Sequence, residues 1–549
     1  MGIMRQVSRS GLSFQRLRED DAYFVDKTLL IRDILDRSQS GVYLFTRPRR
    51  FGKTTNLSML DAFFNIKYNG NTWFNGLEIS KHHEYDEYRN AFPVIHLDMK
   101  PSKGDDYGQF ITGVRLALSK TFNMHRYLLD SDIMKPLRDL FSMLDDRSAT
   151  DERMVEALLL LSEALEAYHG KKVIILIDEY DAPVSDAFGK DFHRQILSFL
   201  RQFLGSALKS NSSLQMAYMT GVMQIAKESI FSDLNNVVVN NVFSKRSDER
   251  FGFTESEVKE LFAYYGHPEK FEEAREWYDG YRFGDAEVYN PFSIMSYVDE
   301  DFTPKRYWVN SGGDWIIRSL LEHIDDVNFM AMTDLVTGKS IMTHITETLA
   351  YGDLYTSDES LFSLMVISGY LNAVPADDGM FDVSIPNSEI MGIVNDMIRR
   401  MNPVNSRDFA EFNRLLVNGD AEGMAEKLGE ILQDESYLTL RKEFVYQAIV
   451  VTILHLMNSR YEIRAEYEAG NGRADVFMRP RSPMTPWIIM ELKAVKTESK
   501  LDSGLDEALN QIREKRYSMG IPGEVVLIGM SFWKKVPKVR VEISKNKSR

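Results

Sequence analysis

Gly52, Lys53 and Thr54 join two segments of different habit, the apolar "GVYLFT" (41–46) and "NLSMLDAFF" (56–64), whose apolar residues recur at helical spacing. A strand, a turn and a helix around such a triplet bring together backbone N–H groups, an ammonium and a hydroxyl. That set can hold the β- and γ-phosphates of a nucleotide and the Mg²⁺ bound to them. The usual spacing puts a further glycine at position 47, where this chain has Arg47. Downstream, "VIILIDEYD" (173–181) is an unbroken apolar run ending in Asp178 and Glu179. There the first carboxylate can hold Mg²⁺ through water and the second can orient or deprotonate an attacking water. Thr220 ends a third run, "LQMAYMTGV" (214–222), and is the candidate contact to the γ-phosphate or that water. Arg47, Arg49 and Arg50 flank the triplet as phosphate partners or as surface charges.

A second set of reactive types lies near the other end. Asp475 stands in "GRADVFMRP", and Glu491 and Lys493 stand in "PWIIMELKAVK". Side chains alternate along a strand, so Glu491 and Lys493 share one face and Leu492 takes the other. A hairpin of the two runs would bring Asp475 opposite them. Two carboxylates gathered there bind Mg²⁺ through oxygen, and the lysine can orient water or stabilise a developing negative charge. The competing reading is a set of solvated charges on an exposed hairpin. Glu466 and Glu468 are alternates for the second acid.

The elements that must position these residues follow from the pattern. "GVYLFT", "FPVIHLDM" (92–99), "KVIILIDEY" (172–180) and "LQMAYMTGV" read as strands buried on both faces, separated by helical segments, which implies a parallel α/β sheet. One of these helices, "ERMVEALLLLSEALEAYHG", stops at Gly170. Residues 237–400 read as mainly helical, a lid or interaction domain, and "MNPVNSRDF" (401–409) as a linker. In "YFVDKT", Asp26 suits the N-cap of a helix starting at Lys27, ahead of a role in walling an adenine pocket. Three domains are expected, 1–236, 237–400 and 401–549.

Composition narrows the classes. The 549 residues include no cysteine, which excludes disulfides and thiolate metal sites and favours a reducing, cytoplasmic setting. Ten histidines without HExxH spacing make zinc a poor fit. "VYQAIVVTILHLM" (445–457) is too short for a bilayer and reads as a buried helix, so no membrane partner is expected. A formal net charge of -15 argues against nonspecific coating of nucleic acid while allowing a local basic site. The closing "WKKVPKVRVEISKNKSR" reads as a solvated tail ahead of a binding arm.

With these residues in view, "YFVDKTLLI", "TRPRRFGKT", "VIILIDEYDAP" and "TGVMQIAKESIFSDLNNV" resemble the AAA-ATPase-like family, and the likeness runs on through "FGFTESEVKELF", "WYDGYRFG", "VYNPFSIMSY" and "SGYLNAV". Its phosphate loop reads RPRRFGK[ST], so Arg47 is a family trait. The resemblance implies a P-loop NTPase fold that binds ATP and Mg²⁺ through Arg50, Phe51, Gly52, Lys53, Thr54, Thr55, Asp178 and Thr220, with Glu179 catalytic. "GNGRADV…IIMELK" resembles the PD-(D/E)XK nuclease superfamily, implying a restriction-endonuclease-like α/β domain acting on nucleic acid, DNA first. The superfamily's helical acid and glutamine match Glu443 and Gln511. Tyr517 lies farther from Gln511 than the usual QxxxY spacing. The leading expectation is an ATPase joined to a Mg²⁺-dependent nuclease. The alternative is a nucleotide-switched module whose C-terminal domain binds DNA or protein without cutting. A neighbour-supplied arginine finger would make the chain a homo-oligomer.

Overall fold

In the computed structural model, the residues described are 5–8, 12–37, 41–132, 135–209, 211–224, 237–308, 315–321, 324, 326–336, 338–349, 354, 360–401, 406–433, 443–454, 457, 460–482 and 485–546. Two compact units emerge, one of residues 1–320 and 342–390, the other of 321–341 and 391–549.

The first unit is built on five parallel strands in the order β2-β3-β4-β1-β5: β1 (Gly41–Thr46), β2 (Val94–Asp98), β3 (Val173–Asp178), β4 (Leu214–Gly221) and β5 (Val237–Asn240). The four expected strands form within a residue or two of their predicted ends. Every residue of β3 is buried, as an apolar run flanked by strands on both sides requires. The fifth strand comes from the start of the region read as helical, and pairs with β1 from Val42↔Val237 to Phe45↔Asn240. A hairpin of β6 (Tyr281–Phe283) and β7 (Ala286–Val288) also lies within that region. Helix α1 (Lys53–Phe64) follows β1 directly, and α2 (Ala157–His169) ends at Gly170 in the left-handed conformation, φ 64°.

Arg47 settles why a glycine is dispensable. Its N–H still pairs with Gly221 O at 3.1 Å, so it prolongs β1 and needs no unusual backbone. The positive φ values of the loop fall later, at Arg50 (66°) and Gly52 (81°). The Arg47 side chain is fully buried and donates to Thr46 O (2.8 Å), Asn240 O (3.0 Å) and Asn240 Oδ1 (2.6 Å). The rings of Phe251 and Phe283 stand 4.8 and 5.2 Å from the guanidinium carbon. It is neither a phosphate ligand nor a surface charge.

Asp26 also differs from its expected role. The helix starts at Leu29 with Thr28 as N-cap, and Asp26 instead accepts from the Thr28 and Glu78 N–H groups at 2.9 and 2.7 Å. Lys27 is buried and reaches Glu257 at 2.6 Å. Glu257 belongs to the capping box that Thr254 opens in "FGFTESEVKELF", so two of the resembling segments are joined by an ion pair.

The second unit is a mixed sheet in the order β8-β9-β10-β11-β12: β8 (Tyr461–Ala469), β9 (Gly472–Pro480), β10 (Trp487–Ala494), β11 (Gly523–Trp533) and β12 (Val536–Asn546). Helices α3 (Ser406–Asn418), α4 (Ala421–Leu432) and α5 (Glu443–Leu454) share a core with Ile488, Met490 and Leu492. α6 (Leu501–Glu514) crosses between the parallel strands β10 and β11 and packs on the other face. Strand β12 occupies the segment read as a tail. Its register with β11 and the pairs Lys538–Asp502 (2.8 Å) and Arg540–Asp506 (2.5 Å) explain its alternating charges as those of an edge strand paired with the acids of α6. Residues 402–405 of the expected linker lie outside the described residues, while Met401 and Ser406 end and begin helices. No helix among the described residues is long and apolar enough to cross a membrane.

Arg47→Met should cost roughly 3 kcal/mol, the scale for breaking a buried charge network, because it strands Asn240 and two carbonyls. Urea unfolding of the full chain, followed through tryptophan fluorescence, measures it; an unchanged midpoint would rule out the guanidinium as the tie between β1 and β5.

Candidate active sites

The first site lies where β1, β4 and β3 end side by side. Gly52, left-handed, turns the chain into α1, whose first turn carries Lys53, Thr54 and Thr55. Thr54 Oγ1 donates to Asp178 Oδ2 at 2.7 Å, and the Thr220 hydroxyl donates to Asp178 Oδ1. The predicted hydroxyl, acid and strand-end threonine thus meet on a single carboxylate. Lys53 Nζ donates to Arg47 O and Pro48 O, both at 2.8 Å, which keeps the ammonium under the loop. Burial lowers its pKa to about 8, against the opposing pull of Glu179, Asp181 and Asp178.

Glu179 has φ 49°, a left-handed backbone without glycine, a strain typical of functional turns. It borders a cavity of about 50 Å³ with Arg49, Asp181, Trp308 and Tyr370. Thr55 is half-buried on the helix and has no described side-chain bond to the other site residues. Phe51 is wholly buried against Tyr281 and Phe283, with ring centroids 5.0 and 4.9 Å away, so its part is to anchor the loop. The Arg50 guanidinium lies 3.8 Å over the Phe292 ring and donates to Tyr307 O at 3.2 Å. Gly369 of "SGYLNAV" lets its chain approach Pro48, since a Cβ there would come within 2.7 Å of the proline ring.

One functional residue escaped the sequence reading. Asp181 is buried, its pKa raised by that burial, and it accepts from the Val222 and Met223 N–H groups at 3.1 and 2.8 Å. It fixes the chain leaving β4 beside Thr220. The signal was the third acid of "IDEYD". Residues 225–236 of "TGVMQIAKESIFSDLNNV" lie outside the described residues.

The second site sits where β9 and β10 part. Their ladder runs from Met478↔Ile488 to Val476↔Met490, and one step on, Asp475 Oδ2 accepts from Leu492 N–H at 2.7 Å. A carboxylate has taken the position of a ladder carbonyl. Glu491 is buried, and its Oε1 accepts from Lys493 Nζ at 3.2 Å and from the Gln511 amide. Burial and then the Asp475 charge raise its pKa to about 8, against the pull of Lys493. Its Oε2 is buried with no hydrogen-bond partner. Burial opposes the Lys493 charge, yet Glu491, Glu443 and Asp475 outweigh it and raise its pKa.

Glu443, on the first turn of α5, accepts from Lys493 Nζ at 3.3 Å and Ala494 N–H at 3.2 Å. Tyr517 reaches the site despite its spacing: the chain turns at Arg516, φ 55°, and returns the phenol to within 3.3 Å of Gln511 Nε2. All the predicted residues therefore converge. Of the alternates, Glu468 is exposed and paired loosely with Arg473, and the Glu466 side chain lies outside the described residues. Among the described residues, no group of three or more His, Asp or Glu side chains is placed to hold a metal. The acid pair nonetheless has the oxygen chemistry of a divalent-cation site, with Glu491 Oε2 left without a hydrogen-bond partner to serve as a ligand.

Residues 11–231 match the sequence model of the family described as "Predicted AAA-ATPase", and residues 441–540 match that of the PD-(D/E)XK nuclease superfamily. The chain joins an AAA-ATPase-like domain to a PD-(D/E)XK domain. Both families generally use nucleotide or divalent metal. A curated relative, the "Uncharacterized protein in vnfD 5'region" of Azotobacter chroococcum mcd 1, is 24% identical over 530 residues and 92% of each chain. Among solved structures, the Aeropyrum pernix ORC2 protein in ADPNP–ADP complexes matches 68% of this chain and 93% of its own at 11% identity. The TM-score of 0.24 is too low for that likeness to bear on the mechanism.

The raised Glu491 pKa of the PD-(D/E)XK domain carries a stability consequence. From the ordinary carboxylate range up to about 8, the folded chain keeps a proton that the unfolded chain releases. Metal-free stability should therefore fall as pH rises through that window, and Glu491→Gln should flatten the slope. Calorimetry in a chelator tests this; parallel profiles for the two proteins would contradict it.

Proposed function

We propose that the chain binds and hydrolyses ATP in its first unit and cuts nucleic acid, DNA foremost, in its second. The observation that carries the reading is the meeting of Thr54, Thr220 and Asp178 beside Lys53, and its counterpart at Asp475, Glu491 and Lys493.

In the first site Lys53 has only to exchange two carbonyl acceptors for phosphate oxygens to become the cation of the loop. Gly52 and the N-terminus of α1 offer backbone N–H groups to the same anion. Thr54 and Asp178 are the residues that would hold Mg²⁺, whose chemistry is to neutralise charge on the phosphates. Glu179 would take the proton of the attacking water, and Thr220 would orient that water or the γ-phosphate. Arg50, Phe51 and Thr55 support the loop around them. In the second site Asp475 and Glu491 would hold the divalent ion, which lowers the pKa of water and polarises a phosphodiester. Lys493, kept charged by its three acids, would stabilise the negative charge that builds during cleavage. Gln511 holds Glu491 in place and Glu443 holds Lys493. We further assign residues 1–236 to the nucleotide domain, whose sheet takes its fifth strand from the start of the next segment, 237–400 to a lid or interaction domain, and 401–549 to the nuclease.

Glu179→Gln should abolish phosphate release from ATP while retaining binding of a fluorescent ATP analogue, and Lys53→Ala should lose the binding as well. If Glu179→Gln hydrolyses at the parent rate, another residue is the base. Purified protein with Mg²⁺ or Mn²⁺ should cut DNA or RNA, and Asp475→Ala should stop it; continued cutting by that variant would displace the second site.

A further inference from the structure

The face of the second sheet that carries Glu491 and Lys493 is only partly covered. α6 lies over β10, β11 and β12, whereas on the β8–β9 side a groove of about 310 Å³ opens. Aromatic rings make its floor: Tyr467 stacks on Phe477 with centroids 4.4 Å apart, and Phe477 meets Trp487 edge-on at 5.7 Å. Over these rings lie two guanidinium groups, Arg464 at 5.3 Å from Tyr467 and Arg479 at 5.8 Å from Trp487. Both arginines turn to one counter-ion, Glu462, and both remain more than half exposed. A Cβ at Gly470 would come within 2.3 Å of Lys515 O, and one at Gly472 within 3.2 Å of the Tyr517 ring. The glycines of "EAGNGRAD" thus let the β8–β9 turn seat against residues 515–517 and close one end of the groove.

We propose that this groove is a subsite for unpaired nucleotides of the strand being cut, an inference that rests on the nuclease reading of Asp475 and Glu491. Tyr517 makes the connection. It walls the groove, and its hydroxyl meets Gln511, whose amide donates to Glu491. Tyr517 thus stands between the acids and the aromatic floor, one hydrogen bond from the residue that holds Glu491. Rings and guanidinium planes together suit a chain that repeats a flat π-face and an anion at every residue. Bases stack against the ring and guanidinium planes, and phosphates take the place of Glu462 on the arginines. An apolar segment would leave the two arginines sharing the single charge of Glu462, and an acidic peptide would leave the rings uncovered. A duplex keeps its base faces stacked internally, which commits the groove to unpaired nucleotides.

The test uses full-length protein in EDTA, so that the strand stays intact, with single-stranded DNA and RNA oligonucleotides carrying 2-aminopurine and a duplex of the same sequence. Single strand should bind more tightly than duplex, with the 2-aminopurine emission quenched by stacking. Trp487→Ala should weaken single-strand binding about tenfold and lose the quench, while Trp487→Phe restores both and circular dichroism stays constant. Equal affinity of parent and Trp487→Ala, or a preference for duplex, overturns the subsite. Mg²⁺-dependent cutting is read separately: if it persists while Trp487→Ala is neutral, only the subsite falls. If cutting is absent from the parent while the strand still binds and quenches, the nuclease reading falls, and the subsite falls with it as a part of the cutting site.

Discussion

A guanidinium sealed inside the first unit is the constraint on which the phosphate loop depends. A buried arginine must have acceptors, and Arg47 draws them from its own strand and from Asn240 at the end of β5. That requirement fixes the fifth strand against the first and brings Phe251 and Phe283 to the flanks of the charge. Phe51 then packs on the same hairpin, and Gly369 brings its chain onto Pro48. The segments that look like separate sequence signatures are the successive layers around one short loop.

The second unit buries a charge of the other sign. Its central acid is less than fully satisfied: one oxygen of Glu491 is held by Lys493 and Gln511, and the other has no donor. Arg47 meets only neutral oxygens and its Nε also lacks a partner, whereas Glu491 faces a cation, Lys493, on one of its two oxygens. The difference lies in the kind of partner, neutral carbonyl and amide oxygens around Arg47 and a charged lysine at Glu491.

Much of this was legible in the sequence because it depends on periodicity. Unbroken apolar runs marked the strands of the parallel sheet, and alternation placed Glu491 and Lys493 on one face opposite Leu492. What was not legible depends on partners distant in the chain. Asn240 lies far from Arg47, so nothing local distinguished a buried guanidinium from a phosphate ligand. Tyr517 was masked by a left-handed turn at Arg516, which a spacing rule cannot see. Asp181 looked like one more acid after two, and only its bonds to Val222 and Met223 reveal it as a brace. The C-terminal strand was hidden by its lysines, which read as a tail until Asp502 and Asp506 stand across from them.

The seating of the β8–β9 turn on residues 515–517 makes two surface loops a matched pair. Asn471 N–H donates to Lys515 O at 2.7 Å, Gly470 has no room for a side chain, and a Cβ at Gly472 would press on Lys515 and Tyr517 at 3.2 Å. Surface loops ordinarily drift in length without consequence. Here an insertion in one would lift Tyr517 from Gln511 unless the other changed with it, so the two lengths are tied to each other across a gap of some forty residues. A pair of loops so bound acts as a gauge, setting the distance from the turn to the acids.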